Sequence, residues 1–303
     1  MRYTLKRAGQ SVVMIAVLMT LVFFGARVIG DPVDAMAPPG ASEQARLDIA
    51  VRFGFDQPIS VQFGEFVMRA IRLDFGNSMW QGTDALAIVL ERLPNTLFLA
   101  GVTMLMVVPI AVLLGCLAAI KPGSRTDRII SFVSLCGVSM VEFWLGLLLI
   151  GFVSVQLGLL PTGGMDHPLS VLLPAATIAF RGIGRLAQFV RSAMIEELGK
   201  TYIVMARAKG MPEWRVFMHA GKNAAISITT MAADELSELV AGTMVVETVF
   251  AWPGMGVLIV NAIAMRDLFL LEATVFVIAI MIAILNLLAD LSYTWLNPRI
   301  RYS

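Results

Sequence analysis

KTYIVMARAKGMPEWRVFMHAGKN, residues Lys200 to Asn223, interrupts a chain that is otherwise mostly apolar. It carries Lys200, Arg207, Lys209, Arg215 and Lys222 against one acid, Glu213. Gly210 separates two helix-forming runs, and Met211-Pro212 restarts the second, because proline is accepted in a first helical turn. The stretch reads as two short helices outside the lipid, each joined to a long apolar helix. A basic island between apolar runs also decides which way such a chain is threaded.

The composition places the island in a membrane protein. Of 303 residues, 58% are hydrophobic and 15% charged, with a mean hydropathy of +0.80. A soluble domain carries about 25% charged residues, so this is an integral membrane composition. The net charge of +1 argues against nucleic-acid binding, which needs a basic face. Cys116 and Cys136 fall in apolar runs and read as small packing hydrophobes. His167 and His219 are the only histidines, and no Cys/His grouping has metal-site spacing, so no metal site is expected.

Six apolar spans surround the island, four before it and two after. The first covers Ser11 to Ala26 and continues nearly to Ile29, behind Arg2, Lys6 and Arg7. Ala35-Met36-Ala37 resembles a signal cleavage site. The apolar run nevertheless approaches the roughly 20 residues of a spanning helix, and Asp31 and Asp34 sit poorly before a cleavage site, so it reads as a span. The second runs from about Thr96 to Ala119, and the third from Ile129 to about Leu157, an excess length that suggests tilt. The fourth covers about Val171 to Val190, the fifth Ala224 to Phe250, and the sixth Leu268 to about Leu291.

Between the first two spans, Asp31 to Pro94 holds nine acids and five arginines. Phe63, Phe66, Val67, Ala70 and Ile71 recur there at helical spacing and predict an amphipathic helix. Asp74-Phe75-Gly76-Asn77 reads as a turn. A segment of this length is a subdomain rather than a passive loop. The basic segments are the N-terminus, Lys121 to Arg128, the island, and Arg299 with Arg301. Six spans put all four on one side, and basic loops stay cytoplasmic, so both termini and the island face inward and Asp31 to Pro94 faces outward. The expected organisation is residues 1–30 as cytoplasmic N-terminus and first span, 31–95 as an extracytoplasmic subdomain, and 96–303 as the core membrane domain containing the 200–223 loop.

Two motif-like matches dissolve on inspection. Leu198-Gly199-Lys200-Thr201 ends like a phosphate-binding loop, but the first glycine of that motif would fall at Met194 in a helical context. If nucleotide drives this protein, another chain binds it. Gly137-Val-Ser139 has no histidine in any span to serve as its base, so Ser139 reads as a helix-packing residue.

The ionisable residues within spans carry more information. Arg181 and Arg185 are four apart on the fourth span, hence on one helical face. Asp234 and Glu238 have the same spacing on the fifth, with Glu235 beside them, and Glu142 stands alone in the third. At about 1.5 Å per residue, Arg181 and the acids Asp234 and Glu235 lie at similar depth. Each charge costs at least about 2.5–3.5 kcal/mol unless paired or facing water. Two readings stay open: mutual pairing of the basic and acidic faces, or a water-filled path whose charge preference these residues set. Thr248 to Gly256 is a helix end followed by a tight turn at the outer face, with Trp252 as an interfacial anchor and Pro253, Gly254 and Gly256 as turn formers.

Several of these stretches occur in an order that resembles a known family. Gly30-Asp31-Pro32 follows the first span. Gly54-Phe-Asp56-Gln57-Pro58 and Leu73-Asp74-Phe75-Gly76-Asn77-Ser78 lie in the outer segment, and Leu93-Pro94-Asn95-Thr96-Leu97 opens the second span. Ala206-Arg207-Ala208-Lys209-Gly210 lies in the island. Val246-Glu247-Thr248-Val249-Phe250 and Trp252-Pro253-Gly254 end the fifth span, and Asp290 and Pro298-Arg299-Ile300-Arg301 close the chain. The chain resembles, nearly end to end, the permease subunits of bacterial ATP-binding-cassette (ABC) importers for dipeptides, oligopeptides and nickel.

The resemblance implies an all-α, six-helix type I ABC importer transmembrane domain in the bacterial inner membrane. It also implies a transport subunit rather than an enzyme, one of a pair of homologous permeases. Two ATPase subunits would carry ATP and Mg, so that this chain binds no cofactor, and an extracytoplasmic binding protein would deliver the substrate. By the resemblance, Ala206, Arg207, Ala208, Lys209, Gly210 and Met211 belong to the coupling helix that docks on the ATPase. Arg181, Arg185, Asp234, Glu235 and Glu238 are candidates for the translocation pathway, and Trp252, Pro253, Gly254 and Gly256 for contact with the binding protein. The chain departs from the family at Val204 and Met205, where importers have Glu and Ala, and at Ser227, where a proline is usual; Asp234, Glu235 and the central Arg181 are also unusual for it, which leaves the substrate's charge open. Peptides are the leading substrate; nickel or a metal chelate is the alternative, because Glu238 to Glu247 also looks like the nickel permeases. A stand-alone ion-coupled carrier could use Arg181, Asp234 and Glu238 as well, but needs no inner docking surface. A membrane enzyme lacks any nucleophile–base pair.

Overall fold

The structure is a computed structural model that describes residues 2–29, 33, 36, 37 and 40–296. Gly30-Asp31-Pro32, Asp34, Ala35 and the closing Pro298 to Arg301 lie outside the described residues. Among the described residues every regular element is helical, apart from one isolated antiparallel bridge between Asn77 and Asp84. The chain divides into two compact units, Met1–Asn95 with Pro253–Ile284, and Thr96–Trp252 with Leu285–Ser303.

The first unit contains α1 (Arg2–Ile29), α2 (Glu43–Phe53), α3 (Ile59–Arg72) and α10 (Met255–Ala264). Ser42 caps α2 by accepting the Ala45 N–H at 3.3 Å, and Gly54 ends it at a left-handed φ of 70°. Helix α3 is the predicted amphipathic helix, with Phe66 and Ala70 buried. Its Phe63 and Phe66 rings lie 5.2 Å from that of Phe23, a fully buried residue of α1. The predicted turn closes as expected, since the Asp74 carboxylate accepts the Gly76 N–H at 3.1 Å and Gly76 sits at φ 77°. Asp267 caps the last helix by accepting the Leu270 N–H, and its other oxygen takes Ser78 Oγ at 2.5 Å and the Trp80 N–H at 3.1 Å. One carboxylate thereby ties the turn region to the start of a helix.

The second unit is built around α7 (Leu172–Leu198). Close approach depends on glycine: a Cβ on Gly137 of α5 (Arg125–Ser139) would lie 2.6 Å from the Phe180 carbonyl oxygen. One on Gly115 of α4 (Ala85–Ile120) would lie 2.6 Å from Val190. Small residues thus let α4 and α5 lie against α7, the packing expected where no water drives helices together. Ser139, expected at such an interface, is exposed instead; Gly137 and the buried Ser134 occupy it.

Several boundaries differ from expectation. The second span does not open at Pro94, because α4 begins at Ala85 and carries the proline inside it. Asp84 starts it by accepting the Leu86 and Ala87 N–H groups. The third span does not take up its length by tilting. It breaks at Met140 and Val141, both extended, and α6 (Glu142–Leu149) turns 104° away from α5 before a π-helical stretch, Ile150–Gln156. The island holds one short helix, α8 (Thr201–Ala208), not two; Glu213 begins α9 (Glu213–Val249), which runs unbroken through the fifth expected span. The last helix, α11, covers Leu268–Leu296.

By length and composition, Ala85–Ile120, Pro168–Leu198 and Leu268–Ala289 qualify as membrane-crossing helices, and the bent α5–α6 pair makes a fourth. Helix α1 contributes a shorter apolar stretch, Val12–Gly25. Helix α9 is long enough but carries Lys222, Asp234, Glu235 and Glu238 along its length.

Candidate functional site

The island forms a clipped hairpin. Helix α8 closes through Lys209 N–H to the Met205 carbonyl (3.1 Å), Gly210 N–H to Arg207 (2.9 Å) and Met211 N–H to Ala206 (3.2 Å). Gly210 makes this closure at φ +74°, a conformation that costs an L-residue with a Cβ about 1–2 kcal/mol. Pro212 then caps α9 with its ring-fixed φ of −64°. Across the turn, Arg207 donates to both oxygens of Glu213 at 3.0 and 3.1 Å. At the hairpin's entry, Glu197 accepts from Lys200 Nζ at 2.5 Å and from Tyr202 Oη at 2.7 Å. The Glu197 hydrogen bond holds the Lys200 ammonium above the ordinary lysine range, and burial pushes the Tyr202 phenol up.

The hairpin has two faces. Ile203 is fully buried with Val216 and Ala220 of α9 and Met194 of α7, and Ala206 and Met211 pack against that core. Burying Ile203 contributes about 1.5–3 kcal/mol. Val204, Met205, Trp214 and Met218 are exposed, beside the equally exposed Arg207, Ala208, Lys209, Gly210 and Arg215. Of the six expected docking residues, Ala206 and Met211 therefore anchor the hairpin and the other four lie on its open surface. The apparent phosphate-loop match is the end of α7, where Gly199 stays helical at φ −82°.

The charges on the fourth and fifth spans do meet. Arg185 of α7 reaches Asp234 at 3.2 Å and Glu235 at 3.6 Å, and also pairs with Glu238. Arg181 does not join them. Its partner is Glu142 at 3.3 Å, the acid that stood alone in the sequence and that begins α6 just past the helix break. Glu142, Arg181, Gly182, Glu235 and Glu238 line one small cleft together with Ile178 and Leu239. Asp234, Glu238 and Arg181 keep about half their side-chain surface accessible, whereas Glu235 is 3% exposed.

One further ion pair involves an acid that the sequence did not single out. Asp127, in the first turn of α5, is 3% exposed and receives a two-pronged contact from Arg191 of α7, Nε at 2.5 Å and Nη2 at 2.8 Å. Gly123 N–H donates to the same carboxylate at 2.7 Å. A lone Asp in a Ser-Arg-Thr-Asp turn signals a helix start and nothing more; only the fold brings Arg191, sixty-four residues away, alongside it.

The turn after α9 is a packed corner. Trp252 is 1% exposed and its ring stacks parallel to Phe98 at 6.3 Å, so the indole is core rather than an interfacial anchor. Ala251 takes φ 48°, and Trp252 N–H returns to the Glu247 carbonyl at 2.8 Å. The buried Glu247 carboxylate accepts from Thr96 Oγ1 at 2.7 Å, while Asn95 Nδ2 donates to the Pro253 carbonyl at 2.8 Å. Gly254 caps α10 and Gly256 is buried within it.

Curated relatives match this chain over nearly its whole length, and a family pattern matches its larger C-terminal part. The sequence pattern of the family described as binding-protein-dependent transport system inner membrane component matches residues 111–302. A protein named as a peptide transport system permease in Brucella abortus (strain 2308) is 35% identical over 308 residues, 98% of each chain. The glutathione transport system permease protein GsiC of Salmonella choleraesuis (strain SC-B67) is 34% identical over 304 residues, covering 100% of this chain and 99% of that one. Among solved structures, a chain of the MetNI methionine ABC transporter in its inward-facing conformations superposes with a TM-score of 0.61. The match covers 69% of this chain and 96% of that one, at 16% identity, a likeness of fold alone.

Proposed function

The chain belongs to the binding-protein-dependent transport system inner membrane components, a permease subunit of an ABC importer with the type I membrane fold, and from that premise we propose that it forms half of a translocation pathway for di- or oligopeptides. The relatives named for peptide and glutathione transport favour peptides over nickel or a metal chelate. A second homologous permease would supply the other half. Two ATPase subunits would bind ATP and Mg, and a substrate-binding protein would deliver the peptide. This chain would bind no cofactor and catalyse no reaction itself.

In this reading the chain crosses the inner membrane six times with both termini cytoplasmic. Residues 31–95 form an extracytoplasmic subdomain that meets the binding protein; of the turn residues expected there only Pro253 is partly exposed, and the buried Trp252, Gly254 and Gly256 shape the turn rather than touch the partner. The basic segments support that threading. The α6, α7 and α9 charges would line the path.

The observation that carries the coupling role is the hairpin's division into an anchored and an open face. Ile203 fixes it to the core, the Arg207–Glu213 fork stiffens it, and Val204, Met205, Trp214 and Met218 lie open among basic residues. An anchored apolar and basic knob is what an ATPase groove can push. It also favours the importer over a stand-alone carrier, which needs no such knob. Co-purification from detergent tests this. The wild-type chain should bring down its ATPase subunits, and a Val204→Glu, Met205→Glu variant should lose them while remaining in the membrane. A chain that transports peptide alone, or a variant that keeps its ATPase subunits, overturns the assignment.

A further inference from the structure

The charged cleft of the second unit has a surplus that its own pairings do not absorb. Four carboxylates, Glu142, Asp234, Glu235 and Glu238, face two guanidinium groups, Arg181 and Arg185. Arg181 is engaged by Glu142, and Arg185 is divided among the other three. Glu235 receives the least. Its Oε2 is buried without a hydrogen-bond partner, 3.6 Å from Arg185 Nε, and it belongs to the lining of the cleft. Space for this carboxylate comes from Gly182, where a Cβ would lie 3.1 Å from Glu235 Oε1. A buried carboxylate oxygen that lacks a donor is expensive unless the acid is protonated or something visits it.

We propose that this cleft is a transient station for the ammonium group of the transported solute, with Glu235 as its principal acceptor. This rests on the peptide-importer reading and names the part of the peptide the membrane domain would recognise. With all four carboxylates ionised, the excess of two negative charges repels a carboxylate and attracts a cation. A primary ammonium brings one positive charge and three N–H donors, which the half-exposed Asp234 and Glu238 carboxylates can receive at the surface and the buried, donor-free Glu235 oxygen can receive once the cleft admits it. A metal ion is a poorer fit, because among the described residues no three His, Cys, Asp or Glu side chains converge closely enough to hold one. The arginines keep the station weak, since each carboxylate they hold is withheld from the visitor, and a pathway site must release what it binds.

The test is equilibrium binding of radiolabelled trialanine to the purified permease–ATPase complex without binding protein. Trialanine methyl ester keeps the ammonium and lacks the carboxylate; N-acetyl-trialanine does the reverse. The station requires competition by the ester and none by the acetylated peptide. It also requires at least tenfold weaker trialanine binding in Glu235→Gln, and binding retained in Glu235→Asp, which controls for folding. Competition by Nα-acetyl-lysinamide would support a site for any primary ammonium, and its failure would support one restricted to the peptide N-terminus. Absence of saturable binding, equal competition by the acetylated peptide, or unchanged binding in Glu235→Gln overturns the station. Peptide uptake by the same wild-type complex in proteoliposomes with binding protein tests the importer reading separately. Uptake without ammonium-dependent binding removes the station alone, and absence of uptake removes the importer reading.

Discussion

At the scale of single residues, the side chains that matter most for the second unit are charges whose partners are distant in sequence. Asp127 and Arg191 form a two-pronged pair with the carboxylate buried and the guanidinium about one-third exposed. Removing one member of a buried pair leaves the other short of its partner, at about 3–5 kcal/mol when both are enclosed; the partial exposure of Arg191 places this pair at or below the low end. Asp127→Asn should therefore lower the thermal midpoint of the detergent-purified chain. Arg191→Met in the same background should lower it less than the sum of the two single variants, because the pair acts as a unit. Additive losses would mean that each residue is held by something other than its partner. Glu142 and Arg181 show the same limit on what can be read in advance: both were visible as costly charges, but nothing in a separation of thirty-nine residues says that they touch.

At the scale of elements, periodicity was a good guide and boundaries were not. Phe63, Phe66, Val67, Ala70 and Ile71 declared α3 because an amphipathic face is a local pattern, although Val67 and Ile71 are exposed and only Phe66 and Ala70 are fully buried. The start of α4 was misplaced because Pro94 suggests a helix opening, yet one missing N–H within a long helix is tolerable when neighbours hold the backbone. The break at Met140 and Val141 has neither proline nor glycine to announce it, so it is a tertiary decision. The hairpin at Gly210 was legible because glycine followed by Met-Pro is local turn chemistry, and its φ of +74° now separates two variants. Gly210→Ala meets no atom within 4 Å and bears only left-handed strain, so uptake should remain coupled to ATP hydrolysis. Gly210→Pro cannot reach a positive φ at all. It should leave the chain inserted but let the reconstituted complex hydrolyse ATP without uptake. Normal uptake in the proline variant, or equal uncoupling by alanine, would show that this turn does not transmit the stroke.

At the scale of the whole molecule, the family was legible from short signatures in a fixed order, but the number of crossings is a separate matter. Composition alone qualifies three helices, or four with the bent pair. The first expected span has a short apolar stretch, and α9 carries the acids that make the cleft, so the feature that suggests function also weakens the hydropathy signal. Charge asymmetry is independent of that signal, because it counts Lys and Arg between helices rather than apolar residues within them. It predicts that Lys121 and Lys209 share one side of the membrane and Asp56 lies on the other. In a background with Cys116 and Cys136 replaced by Ala, a membrane-impermeant maleimide applied to intact cells should label Asp56→Cys. It should reach Lys121→Cys and Lys209→Cys only after the membrane is opened. All three positions are exposed on the chain, so burial within it does not decide the result. Labelling of Lys121→Cys and Lys209→Cys from opposite sides would rule out the six-crossing arrangement, because the bent α5–α6 pair and α7 would then cross an odd number of times between them.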